Sequence, residues 1–222
     1  MKVPFTWKVT GWFMVGWSAE FPSSEVRPLR YFGEDLVAYR DESGELHVLS
    51  GHCFPTEPDA YYRPYPEFSR RTEHEPVHPQ IVAENGPDSA HFHYVHGARS
   101  DDPDKMVLYI HSHFSGLGFA ISAFEGSSNH RLIFACTPVE ERYSDMFYSI
   151  WWPRLPGETS EVPPDSVREQ VERQFLGTVW EDLDIWRYQE YVEHPALSRV
   201  DAKPYMAMRK WASQFYEVPA SV

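Results

Sequence analysis

Residues 105–152 alternate apolar and polar side chains so persistently that an antiparallel sheet is the natural way to bury one face of them. Val107, Tyr109, His111 and His113 share one side of a first strand, and residues 117–124 follow as a second. Residues 131–136 lead through Thr137-Pro138-Val139-Glu140 into residues 146–152, and Gly126-Ser127-Ser128-Asn129 is a turn between two of the strands. After Pro163-Pro164 the period changes. Val167, Val171, Phe175, Val179, Leu183 and Trp186 form an i, i+4 stripe, and Asp165 or Ser166 stands near the helix start.

That stripe contains one residue that does not belong there on hydrophobic grounds. With Phe175 set at zero and about 100° per residue, Asp182 lies at about −20°, inside the stripe, while Asp184 lies at about 180°. A carboxylate on a buried face is costly unless it is paired or bound to a metal. Asp182 is therefore a candidate metal ligand, the alternative being a helix-end carboxylate paired with an arginine.

A second stretch supplies what such a ligand needs. Asp88, His91, His93 and His96 fall within nine residues, just after Glu84-Asn85. Imidazole and carboxylate together suit divalent first-row metals. On a helix Asp88 and His91 are about 60° apart and share a face, whereas His91 and His96 are about 140° apart and cannot close on one ion. Either the helix loosens between them or the pair is His93 with His96, and the spacing leaves that open. Eleven histidines in 222 residues also cluster on a wet helix face without any metal. His111 and His113, two apart on a strand, either bind metal as a pair or line a cavity or a wet sheet face.

Composition narrows the field. A chain of 222 residues suits one sizeable domain, or one plus a fragment, and 42% hydrophobic with 16% aromatic residues fills a globular core. A net charge of −13 argues against nucleic acid or an anionic membrane surface as partner. Cys53 and Cys136 make no disulfide framework and suit a reducing cytosol. Residues 1–21 lack the continuous apolar core and cleavage site of a signal peptide, and no run reaches the roughly 18 to 20 apolar residues of a membrane span. A cytoplasmic protein is expected. Residues 5–52 read as short strands: residues 11–17, then 26–40, then a turn at Asp41-Glu42-Ser43-Gly44 into Leu46-His47-Val48-Leu49.

Asn85-x2-Asp88-x2-His91-x4-His96, preceded by Glu84 and followed by Gly97, resembles the mononuclear-iron motif of Rieske non-haem iron oxygenases. The resemblance implies that His91 and His96 are Fe(II) ligands, that Asp88 is the aspartate linking the iron to a neighbouring subunit's iron–sulfur cluster, and that Asn85 and Asp88 serve catalysis; His93 falls on a variable position. Asp182-Leu183-Asp184-Ile185-Trp186 with Gln189 and Tyr191, and then Arg209-Lys210-Trp211-Ala212-Ser213-Gln214-Phe215-Tyr216, is similar to the C-terminal signature of 3-ketosteroid 9α-hydroxylase oxygenases and cholesterol 7-desaturases. In those proteins the aspartate four before the tryptophan is the third ligand, here Asp182.

The opening strands resemble those of a Rieske domain, which carries Cys-x-His and then Cys-x-x-His about fifteen residues on. Cys53 is followed by Phe54-Pro55 and Cys136 by Thr137-Pro138-Val139, so neither pair is present. A 2Fe–2S cluster needs four ligands, and none is expected here. The implied fold is α+β: a START-like helix-grip, with an antiparallel sheet around a long C-terminal helix (residues 63–222), plus a β remnant of a Rieske domain without cluster ligands (residues 1–62). The implied function is a mononuclear non-haem Fe(II) oxygenase acting with O2 on a hydrophobic, sterol-like substrate. Its electrons would come from another protein, a Rieske or reductase donor, and it would assemble as a homo- or hetero-oligomer such as a trimer. The alternatives are a non-catalytic hydrophobic-ligand-binding protein and an accessory subunit of a full-length Rieske oxygenase.

Overall fold

The computed structural model describes residues 7, 9–23, 25–40, 60–96, 109–125 and 128–216. Cys53, the expected turn and strand over 41–49, and Val107 lie outside the described residues. The architecture is α+β, built on a five-stranded antiparallel sheet. Its strands are β3 (Ser69–Glu75), β4 (Tyr109–Phe114), β5 (Phe119–Glu125), β6 (Arg131–Glu140) and β7 (Tyr143–Trp151), ordered β3-β7-β6-β5-β4. Among the described residues no helix is long and apolar enough to cross a membrane.

The period of two explains why this sheet is covered on both faces. On the central strands Phe134, Cys136, Met146 and Tyr148 turn to one side and meet Val77, Ile81, Leu183 and Trp186. Ala135 and Phe147 turn to the other and meet Met14, Val15, Phe21, Tyr31 and Ala38. The first face carries helices and the second carries the N-terminal chain. Residues 11–17, expected as a strand, have no strand pairing; they are an extended segment whose side chains fill the second face.

Residues 26–40 fold back on themselves as β1 (Val26–Tyr31) and β2 (Glu34–Tyr39), paired Tyr31 to Glu34 around a two-residue turn. Phe32 and Gly33 both have positive φ, 58° and 71°, as a type I′ turn requires. Phe32 is a poor residue for that conformation. The turn is held by hydrogen bonds from Phe32 N to Pro138 O, 2.9 Å, and from Gly33 N to Val139 O, 2.7 Å. Behind it Tyr31 donates to Asp145 Oδ2 (3.2 Å), which also accepts from Arg71 Nη2 (2.7 Å), while His74 N donates to Asp145 Oδ1 (3.1 Å). Burial pushes the Tyr31 phenol well above its usual range, so it stays a donor.

β3 has no apolar alternation to announce it. It is an edge strand whose inward residues are satisfied by charge: Glu75 receives both Arg187 Nε (2.9 Å) and Nη2 (3.0 Å). The helical faces come from α1 (Pro79–Asn85), α2 (Ser89–Tyr94), α3 (Asp165–Val171), α4 (Gly177–Trp186) and α5 (Ala202–Ala212). α3 and α4 are joined by a π turn, Glu172–Leu176. Val171 before that turn and Leu176 at its end are both buried, five positions apart, the step that a π turn sets. α5 is clamped to α1 by a buried carboxylate. Glu84 accepts from Gln80 Nε2 (2.7 Å), Arg209 Nε (2.8 Å) and Nη2 (2.9 Å), and from the Tyr205 hydroxyl.

Candidate metal centre

α1 starts at His78, whose Nδ1 accepts from Gln80 N at 3.1 Å, and Pro79 takes the first helical position, where no amide is needed. It ends at Asn85, and Gly86-Pro87 breaks the chain before α2. Asp88 caps α2: its Oδ1 accepts from His91 N at 3.3 Å, and its carbonyl meets the His91 ring at Nδ1. α2 is one short stretch ending at Tyr94, so His96 lies beyond its last turn. The 140° separation of an unbroken helix therefore does not apply. The two rings come within 5.3 Å of each other, centroid to centroid, nearly perpendicular at 81°. Of the two arrangements the spacing allows, the loosened helix is the one found; the His93 side chain lies outside what is described.

Asp182 approaches from α4. His96 Nε2 is 3.1 Å from Asp182 Oδ1, and His96 Nδ1 is 2.9 Å from Glu181 Oε2. One ligand atom each from His91, His96 and Asp182 lie within 4.8 Å of one another, the group of that kind found among the described residues. Two donors about 2.1 to 2.2 Å from one ion and at right angles to it are about 3 Å apart, which is the His96–Asp182 spacing. Two imidazoles and one carboxylate with an open side are the donor set of a non-haem Fe(II) site. Asp182 raises the pKa of His96, with Glu181 adding to the effect and burial opposing it.

The other candidates stand outside that three-residue group. Asp184 is exposed and pairs with Arg187 at 2.8 Å. Asn85 Nδ2 is 3.4 Å from His91 Nε2. His111 and His113 are exposed on β4, His111 lying 3.8 Å from Glu125; neither belongs to the group around Asp182. Glu181 was not anticipated. Nothing in the helical phase points to it, because it stands about 100° away from Asp182 around the axis.

The three side chains open onto a cavity of about 860 Å3 between sheet and helices. Its floor is three rows across the strands: Phe114, Ala120 and Phe134; then Ser112, Ser122 and Leu132; then Ile110, Phe124 and His130. Trp186, Met208 and Trp211 face the floor from α4 and α5. The polar residues that the sheet brings to the cavity are a serine pair, Ser112 Oγ to Ser122 Oγ at 2.8 Å, with His113 and His130. His130 is buried, stacked on Phe124 at 4.2 Å, with its pKa pushed down to about 4 chiefly by burial and then by Arg131, so it is a neutral ring. No lysine or arginine lines the cavity among the described residues.

Residues 97–216, more than half of the chain, match the 3-ketosteroid 9alpha-hydroxylase C-terminal domain. The chain belongs to this family. Asp182 lies inside the matched residues, while Asn85, Asp88, His91 and His96 lie immediately before them. The oxygenase component of 3-ketosteroid-9-alpha-monooxygenase from Rhodococcus rhodochrous is 24% identical over 174 residues, which take in 63% of this chain and 44% of that protein. The oxygenase subunit of 5,5'-dehydrodivanillate O-demethylase from Sphingobium sp. (strain NBRC 103272 / SYK-6) is 43% identical over 42 residues, 19% of this chain and 10% of the relative. The chain thus spans less than half of each of these curated relatives. Among solved structures, dicamba monooxygenase bound to dicamba superposes with a TM-score of 0.57 at 14% identity, covering 91% of this chain and 96% of that one. The apo form of a quaternary ammonium Rieske monooxygenase, CntA, gives 0.56 at 12% identity, covering 93% and 88%. The chain shares the fold of these two monooxygenases.

Proposed function

We propose that this chain is the mononuclear-iron catalytic domain of a Rieske-type oxygenase, acting on a hydrophobic, uncharged molecule of sterol-like character. The observation that carries the reading is the meeting of His91, His96 and Asp182 at the edge of a large carbon-lined cavity. The sheet gripping the helical rod α3–α4 is the helix-grip arrangement, residues 63–222 form this domain, and the β1–β2 hairpin is what remains of a Rieske domain within residues 1–62.

Fe(II) held by the three side chains would supply O2 activation, with electrons delivered by an external Rieske or reductase donor. Each residue of the chain has its own part. The Asp88 carbonyl holds the proton of His91 on Nδ1, which leaves Nε2 as the metal donor. The Asp88 carboxylate caps α2 and is where a partner's electrons would enter. Asn85 sits against His91 Nε2 and limits the room beside the ion. Phe114, Phe134, Trp186 and Trp211 exclude water, and the serine pair offers one polar foothold for a neutral oxygen on the substrate. Trimeric or mixed assembly with cluster-bearing relatives would bring the donor to Asp88, and a cytoplasmic setting suits the reaction.

Anaerobic titration with Fe(II) tests the reading. About one iron per chain is expected, without labile sulfide, and with binding abolished in the His91→Ala/His96→Ala double variant. Metal retained by that variant, or no metal bound by the wild type, overturns it; ligand binding without metal would then mark a hydrophobic-ligand-binding protein.

A further inference from the structure

His96 is gripped by two successive residues of one helix. Its Nε2 faces Asp182 Oδ1 at 3.1 Å and its Nδ1 faces Glu181 Oε2 at 2.9 Å. A neutral imidazole carries one proton, and only the tautomer with that proton on Nδ1 leaves an Nε2 lone pair for a metal. Asp182 alone favours the wrong tautomer, because its carboxylate accepts a proton from Nε2 as readily as it binds an ion. Glu181 is the acceptor that reverses this preference. Its partner ring is nearly enclosed, 9% exposed, while Glu181 itself is 53% exposed, so the carboxylate reaches in from the surface to a ring that has little freedom.

We infer that Glu181 is a positioning residue for the metal centre: it fixes His96 with the proton on Nδ1 and Nε2 turned to the ion. The inference rests on the metal reading above and adds a residue that touches neither metal nor substrate. As a surface ion pair the contact would contribute little to folding. Its effect falls instead on metal affinity, where losing a ligand's hydrogen-bond partner costs about 10- to 100-fold.

The test is Co(II) binding to the apo protein, followed by the visible ligand-field bands, for wild type, E181A, E181Q and D184A, with the melting temperature of each apo protein measured alongside. Asp184 removes the same charge from the exposed face of the same helix, so it controls for the general field. The expected result is a 10- to 100-fold weaker Kd for E181A, a smaller loss for E181Q, whose amide oxygen still accepts from Nδ1, and at most a threefold change for D184A. The apo melting temperatures should agree. E181A and D184A giving the same Kd would overturn the inference while leaving the metal site standing. Wild-type protein that binds no Co(II) would remove both.

Discussion

Acidification should weaken this fold through two particular histidines. His78 and His130 are buried, and burial pushes both from 6.5 to about 4. Between those values the unfolded chain binds a proton at each site that the folded chain refuses. Stability is therefore complete above about pH 6.5 and is lost as pH falls towards 4. At pH 5 a group with these two pKa values costs about 2 kcal/mol, and at pH 4 and below about 3. The structure gives each loss a physical form. Protonating His78 turns the Nδ1 that accepts from Gln80 N into a donor, and so removes the cap of α1. Protonating His130 puts a charge between Phe124 and Trp152, whose rings lie 4.2 and 5.5 Å away. Urea unfolding at pH 7.5 and pH 5.0 measures the effect, with H78N, which keeps a cap acceptor, and H130Q as partners. The carboxylates contribute equally to every protein, so the difference between wild type and variant isolates one histidine. Each variant should lose about 2 kcal/mol less than wild type on acidification. Identical losses in wild type and both variants would refute the reasoning.

Replacing Glu84 by Gln leaves Arg209 buried without its counter-charge, and should cost about 3 kcal/mol or more in urea unfolding. Gly118→Ala would place a methyl 2.1 Å from the Phe13 ring; a loss of about 1 to 3 kcal/mol is expected from chemical denaturation. Asp182→Ala should weaken Fe(II) binding strongly while Asp184→Ala shifts stability by no more than about 0.5 kcal/mol, as isothermal titration and thermal melting will show.

The strands β4 to β7 were legible because their side chains are rich in apolar and aromatic residues between clear turns; β6 and β7 are buried on both faces. β6 runs further than the sequence suggests, on to Glu140, since Pro138 faces a register shift in its pairing with β7. β3 was not legible. Ser-Arg-Arg-Thr-Glu-His-Glu reads as a wet loop, and its pairing depends on Arg187 and Asp145 from distant parts of the chain. The turn at Phe32-Gly33 was hidden for a similar reason, because hydrogen bonds from β6 override a poor local preference. At the candidate site, the aim of Asp182 could be read from helical phase. Val179 and Trp186, which flank Asp182 in the cavity wall, both follow the π turn and keep regular α spacing with it. Glu181 left no trace, since an exposed glutamate on a helix has no pattern to break.

The π turn has a bearing on how such a chain tolerates change. α3 is seated against Tyr62, Phe68 and Trp152, and α4 against Val77, Cys136 and Tyr148. In one uninterrupted α-helix these two seats would have to agree in rotation, and each residue added or removed would turn the carboxylate by about 100° and slide it about 1.5 Å. The wide turn between them acts as a vernier. Each half finds its own rotational setting, and the mismatch is taken up over Glu172–Leu176. The direction in which Asp182 points is thereby uncoupled from drift in the segment that precedes it.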